Sequence, residues 1–374
     1  MNISAGIIGL AMIIVLLLDI FRAIVLARRA RGDFRLTEAF YSAIWPIFVA
    51  IGRKTESGPR REAFLGIFGP LSLLLLFLAW AVSLILGFAL VRYSLSPWDA
   101  NLRNFSNDLY ESASSFLTIG AAQTSQRFVR WINVLEAGLG FSFLALVISY
   151  LPVFYQSFAR RELHISLLDA RAGSPPSATE ILARHGTYAG QLERRLEAWE
   201  EWAADLMQDE LSYPMLAYFR SQHVNQSWIS TLVAITDVSA LISLGATNEL
   251  QRQAEITFAM GRYALIDSTR VLGIKPGEPV QDRLSRGDFE RIREAIRRSH
   301  SPIDSSRLRY ERVAELMMLY EPYSVALSSH LLMALPPWIP EEMPSDNWRI
   351  APRKPSQDIF AVSDPCQDDE EKSA

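Results

Sequence analysis

Thr118, Ile119, Gly120, Ala121 and Ala122 occupy the middle of a stretch, residues 112–126, without one charged side chain. The stretch holds no acid and no nucleophile set beside a base. What it presents is small side chains and therefore accessible backbone. It lies between two long apolar segments, and at membrane depth irregular backbone persists only where it lines a cavity or is buried in protein. A short amphipathic helix over residues 107–117, followed at once by this turn, reads as a re-entrant pore loop. Other chemistries find little footing. The one cysteine, Cys366, excludes a disulfide framework and a thiolate metal site. None of the five histidines stands at metal-ligand spacing from another. A glycine-rich dinucleotide fingerprint and a phosphate-binding loop are both absent, and no local pairing of nucleophile and base points to an enzyme.

The elements that must position such a loop follow from the charge pattern. Residues 1–27 read as a first membrane span, uncharged to Leu18 and closed by Arg28, Arg29 and Arg31. A cleavable signal peptide would carry its charge before the apolar run, not after it. The positive-inside bias places the N-terminus outside. Asp19 and Arg22, three apart, share a helix face and can pair. Residues 28–62 form a basic region around a sixteen-residue apolar segment, 36–51, interrupted by Pro46. That segment falls short of the roughly 20 residues needed to cross a bilayer. Its aromatics (Phe40, Tyr41, Trp45, Phe48) suit a helix lying in the cytoplasmic interface. Residues 63–91 are 29 positions without a charge, the strongest span in the chain. Residues 92–107 then read as an external loop, and a third span, 131–158, is closed by Arg160 and Arg161. Residues 63–160 thus form one module of span, loop and span, and the remainder lies in the cytoplasm. A net charge of −4 with no basic face argues against a nucleic-acid partner.

Residues 108–155 resemble the pore region of the potassium-channel superfamily, in its form with one pore loop per chain. Tyr110, Ser112, Ser115 and Phe116 occupy pore-helix positions. Leu117-Thr118-Ile119-Gly120 corresponds to the first half of the family's filter, and Asn133-Val134-Leu135-Glu136-Ala137-Gly138 to the start of its inner helix. The resemblance implies an ion path along Thr118, Ile119, Gly120, Ala121 and Ala122, with Gln123 as filter support. It implies flex or gate points at Gly138, Gly140 and Pro152; helix–helix packing is the other reading for the glycines and the favoured one for the proline. One loop per chain requires a homotetramer. The partners implied are further copies of the chain, a monovalent cation such as K⁺, and the lipid bilayer. No cofactor is implied, and no metal beyond transient permeant cations. Where the family has Tyr-Gly-Asp, this chain has Ala121-Ala122-Gln123. Ala121 cannot brace the filter as the tyrosine ring does. Ala122 would carry roughly 1–2 kcal/mol of strain in the glycine conformation. Gln123 can hydrogen-bond but has no charge. Potassium selectivity therefore does not follow from the sequence.

Beyond residue 160 the periodicity is helical throughout. The third span is expected to continue to Arg171 and stop at Gly173-Ser174-Pro175-Pro176, where Ser177-Ala178-Thr179-Glu180 has capping-box spacing. Leu192, Leu196, Trp199, Ala203 and Leu206 form a core-facing stripe, and the Trp199–Trp202 pair reads as packing. Residues 227–244 are apolar enough to invite a fourth span, but Asp237 stands at their centre and no basic loop flanks them, so a buried helix is expected. Helices are expected over 248–271, 288–299 and 304–333, then a disordered Pro-rich acidic tail over 336–374. Arg220, Gln222, His223, Asn225 and Gln226 suit a satisfied hydrogen-bond network joining helices, with a ligand pocket as the alternative.

The expected fold class is an all-α membrane protein: three transmembrane helices plus a re-entrant pore loop, followed by an all-α cytoplasmic domain over 161–335. The expected function is a homotetrameric cation channel of the cell membrane, multi-pass, with its N-terminus outside. The alternative is a non-conducting membrane sensor or scaffold that keeps the channel architecture. A membrane-anchored enzyme comes third.

Overall fold

Long uncharged runs leave the backbone no partner but itself, and the chain answers with helices; among the described residues it forms no strand. The computed structural model describes residues 3–25, 36–55, 58–95, 104–120, 127–185, 189–223, 225–278, 283–298 and 301–340. Ala121, Ala122 and Gln123 lie outside the described residues, as does the tail from 341. In chain order the helices are α1 (Ile3–Ile20, continued by a π turn, Phe21–Val25), α2 (Leu36–Lys54), α3 (Pro59–Leu95), α4 (Phe105–Phe116) and α5 (Arg127–Ala172). There follow α6 (Ala178–His185), α7 (Ala189–Ser212), a 3₁₀ turn (Pro214–Tyr218), α8 (Trp228–Gly245), α9 (Asn248–Val271), α10 (Arg286–Arg298), α11 (Tyr310–Met317) and α12 (Glu321–Leu331). The chain divides into two units, residues 1–160 with 209–220, and residues 161–208 with 221–374.

In the first unit, α1 lies close against α3 because glycines remove the side chains between them. A Cβ on Gly9 would stand 2.5 Å from the Gly87 carbonyl oxygen, and one on Gly87 2.8 Å from Ile13. Asp19 is buried on this interface. Its carboxylate accepts from Trp80 Nε1 at 3.1 Å and Thr37 Oγ1 at 2.9 Å, so α1 is tied to α3 and α2. In α2, Tyr41, Trp45 and Gly52 recur at helical spacing and are buried, while Ile47 and Ile51 are exposed. The aromatics expected at a membrane interface instead pack on protein: Trp45 on Phe68 (4.7 Å between centroids) and Tyr41 stacked on Tyr218 (5.1 Å). This is why residues 209–220 join the first unit; Tyr213 and Phe219 likewise lie against Phe154.

Among the described residues, four helices are long and apolar enough to cross a membrane: Ile3–Ile24, Arg60–Leu95, Arg127–Asp169 and Trp228–Gly245. Burial separates them. The last is 94% buried inside the protein, the first three only 17–39%. In the second unit, α8 starts at a reciprocal cap, with Ser227 Oγ accepting from Ser230 N at 3.0 Å and Ser230 Oγ from Ser227 N at 3.1 Å. α9, α6, α11 and α12 surround it, and Gly261 lets α9 close on Thr236. Asp237 is satisfied at its centre: Arg283 donates two bonds of 2.7 Å and the Tyr320 hydroxyl a third. Burial, with Asp237 alongside, pushes the Tyr320 phenol well up. Two sequence expectations shift here. The helix expected over 304–333 is two, α11 and α12, because Pro322 cannot continue a helix from Tyr320. The boundary expected at 336 also moves: Trp338 is 2% exposed, its carbonyl accepts from Thr179 Oγ1 at 2.9 Å, and residues 336–340 pack as part of the second unit.

Candidate functional site

α4 is a helix held by its polar groups. Asn104 caps it, its side chain accepting from Ser106 N at 3.0 Å. The buried residues of its inner face are three serines and one aromatic: Ser112, Ser114, Ser115 and Phe116. At its C-terminus Thr118 N donates to Ser115 O at 3.0 Å and Ile119 N to Ser114 O at 2.9 Å. That pair of bonds is the Schellman closure, which places one residue in the left-handed region, usually glycine. Here the residue is Thr118, with φ 56°, and Gly120 follows at φ 107°. A β-branched residue in this region is strained. Ile119 projects outward, 74% exposed, while the Gly120 carbonyl turns back to accept from Ser114 Oγ at 2.9 Å.

Behind α4 lies a cluster that sequence reading missed. Arg92 was expected to open an external loop; it sits instead in the last turn of α3, 2% exposed. Its Nη2 donates to Glu136 Oε2 on α5 at 2.6 Å and to Ser115 Oγ at 2.9 Å, and its Nη1 to Glu111 Oε2 at 3.3 Å. Glu136, 0% exposed, also accepts from the Ser112 hydroxyl. One arginine thus joins three helices. The signal was present: Glu136 is the one acid between Arg130 and Arg160 in a long apolar stretch of α5, and Arg92 ends an uncharged run; charged residues in such apolar stretches ask for partners.

The expected inner-helix positions fall on two faces of α5. Gly140 is buried where a Cβ would overlap the Phe116 carbonyl, so α5 presses directly on the end of α4. Gly138 is exposed with nothing within 4 Å of its Cβ position. Pro152 is also exposed, and the helix continues through it. Gly138, Ser142, Ala145, Ser149, Pro152 and Gln156 follow one another at intervals of four and three, and all are exposed. This is one straight stripe of small or polar residues. Its hydroxyls are satisfied locally, Ser142 by Gly138 O at 2.7 Å and Ser149 by Ala145 O at 3.0 Å. The adjoining exposed positions Val134, Phe141, Ile148 and Tyr155 are apolar.

The polar segment after the 3₁₀ turn is spent on internal bonds. Arg220 donates to Glu62 at 2.6 Å, and burial lowers its guanidinium pKa despite that partner. The backbone N–H of Gln222 donates to Glu162 (3.1 Å), His223 bonds Ser166 (2.7 Å) and the Gln226 side chain donates to Asp169 (2.9 Å). Asn225 takes a left-handed turn at φ 60°. Within the second unit, Gln222, His223 and Gln226 thus each bond a residue of α5. Compared with known proteins, the chain matches no family model, no curated protein and no solved structure.

Proposed function

We propose that the chain is one subunit of a homotetrameric cation channel resembling potassium channels. The helices Ile3–Ile24, Arg60–Leu95 and Arg127–Asp169 carry its membrane crossings, the third over residues 131–158, and α4 with residues 117–122 is its pore loop. The basic residues around 28–35 and at Arg160 and Arg161 support an N-terminus outside and a cytoplasmic second unit, by the positive-inside bias. The observation that carries this reading is the stripe on α5. Facing hydrocarbon, Ser142, Ser149 and Gln156 would be wasted; facing a water-filled axis among four copies, they line it. The exposed tip of α4, with its carbonyls at Thr118 and Ile119, is the second support. The Gly120 carbonyl, although it accepts from Ser114, keeps a second lone pair.

A second reading, a non-conducting sensor or scaffold, is favoured by that same bond: Ser114 and the Schellman closure finish α4 as an ordinary cap. Flux of K⁺ and Na⁺ from liposomes holding verified tetramers separates the two. The channel reading expects flux that Ser149→Trp blocks and that Ile148→Trp, one position round the helix, leaves in place. Absence of any flux, or a strict monomer or dimer in detergent, overturns it.

A further inference from the structure

We infer that Arg92 and Glu136 are positioning residues: a buried clamp through which α5 holds α4, and with it the backbone of residues 118–120. The functional consequence rests on the channel reading; the mechanical one does not. α4 has little apolar surface with which to dock, since its inner face is three serines and one phenylalanine. Its place is therefore set by directed bonds, and most converge on the clamp. Ser112 donates to Glu136, Ser115 accepts from Arg92 at 2.9 Å, and Glu111 accepts from Arg92 at 3.3 Å. Ser114, beside Ser115, holds the Gly120 carbonyl at 2.9 Å. The path from clamp to tip is two adjacent residues long.

The grip on α5 has two points. Glu136 takes Ser112, and one turn later Gly140 lies against the Phe116 carbonyl. A shift or rotation of α5 in this region moves both points together and is delivered to α4 at its middle and at its end. Because Glu136 is fully buried and Arg92 nearly so, the pair resists partial opening. Removing Arg92 strands Glu136, and removing the Glu136 charge leaves Arg92 with the longer ion pair to the part-exposed Glu111, whereas replacing both by apolar residues leaves no buried charge at this point. Gly138 and the polar stripe lie on the far side of this contact, so α5 carries the clamp on one face and the proposed path on another.

The test uses the full-length protein in liposomes: wild type, Glu136→Gln, and the double variant Arg92→Met with Glu136→Met. Hydrogen exchange of peptides covering α4 and of peptides covering α8–α9 is read beside the K⁺/Na⁺ flux ratio. Glu136→Gln is expected to speed exchange in α4 on the order of tenfold or more, with α8–α9 unchanged. The double variant is expected to recover most of that protection. The flux ratio should move with α4, altered in the single variant and largely restored in the double. Unchanged exchange in α4, or a loss shared equally by α8–α9, overturns the clamp. Altered exchange with an unaltered flux ratio overturns its coupling to the tip. If the wild type passes no ion, the channel reading fails, and the exchange measurements still decide whether the clamp holds α4.

Discussion

Each unit buries one arginine between two carboxylates, and the two clusters differ in what surrounds them. In the second unit Arg283 binds Asp237 and, at 3.1 Å, Glu321; both acids are inside, at 0% and 3% side-chain exposure. Trp338 lies over the guanidinium at 5.4 Å. Burial raises the Glu321 pKa, against the pull of Arg283. In the first unit Arg92 binds Glu136, fully inside, but Glu111 is 31% exposed and can turn to water. The Arg283 cluster satisfies a charge at the centre of a helix already packed on every side. The Arg92 cluster positions α4, whose buried face offers three serines beside the single aromatic Phe116. Similar chemistry serves cohesion in one place and placement in the other.

The largest expected effect follows from the number of acids each arginine leaves behind. Arg283→Met strands two buried carboxylates and should cost about 3–5 kcal/mol or more, read as early unfolding of α8 in denaturant titrations followed by hydrogen exchange. Pairing it with Asp237→Leu should recover only part of this, because Glu321 stays buried. The corresponding double change at Arg92 and Glu136 should recover most, because Glu111 reaches solvent. Equal recovery at both sites would erase the distinction. Next in size is the contact between α5 and α4. Gly140→Ala forces a methyl group into the Phe116 carbonyl and should cost about 1–3 kcal/mol, seen as lowered Tm of the detergent-solubilised protein. Gly138→Ala, with open space around it, should be neutral or stabilising by up to about 1 kcal/mol from helix propensity. Matching losses at both glycines would mean that α5 is equally constrained on its two faces.

What was legible in the sequence was periodic or local. The uncharged runs marked α1, α3 and α5, and the stripe Leu192, Leu196, Trp199, Leu206 marked α7, where all four are buried. The capping residue Ser177 was visible in its spacing and does bond Glu180 N, at 3.3 Å. Pro322 was as visible as Ser177, yet the apolar pattern ran through it and one helix was expected where there are two. The clamp was hidden because Arg92 and Glu136 stand 44 positions apart along the chain, on two helices, and meet at a third. Each looked unremarkable alone: Arg92 as the end of a span, Glu136 as one acid in a helix. Trp338 was hidden by its neighbours, since a proline-rich setting reads as tail whatever single residue it carries. The closure at Thr118 was hidden for a third reason: threonine disfavours the left-handed conformation, so its residue type gives no sign of it.

That closure supplies a smaller prediction. Thr118→Gly relieves the left-handed strain and should stabilise the first unit by about 1 kcal/mol, a rise in Tm that the same change in a helix interior would reverse. A loss would mean that the threonine side chain contributes more to the tip than its strain removes.

The smallest effect belongs to the second unit and concerns pH. His330 lies in the last turn of α12, where the helix dipole favours a cation, but burial prevails and lowers its pKa from the ordinary 6.5. With the folded value below the unfolded one, the unfolded chain binds the proton first as pH falls. Stability from this group is therefore complete above about pH 6.5 and is lost as pH falls from there through the folded value. Glu321 bends the curve the other way, its raised folded value adding stability as pH falls toward the ordinary carboxylate range. Only a difference measurement isolates the histidine. Subtracting the stability curve of His330→Gln from that of the wild type should leave a component that declines below pH 6.5, while α4 exchange in the first unit stays the same in both proteins. A flat difference would show that His330 binds its proton equally in the folded and unfolded states. A matching change in α4 would tie the two units' stabilities together, and the two clusters would then have to be treated as one system.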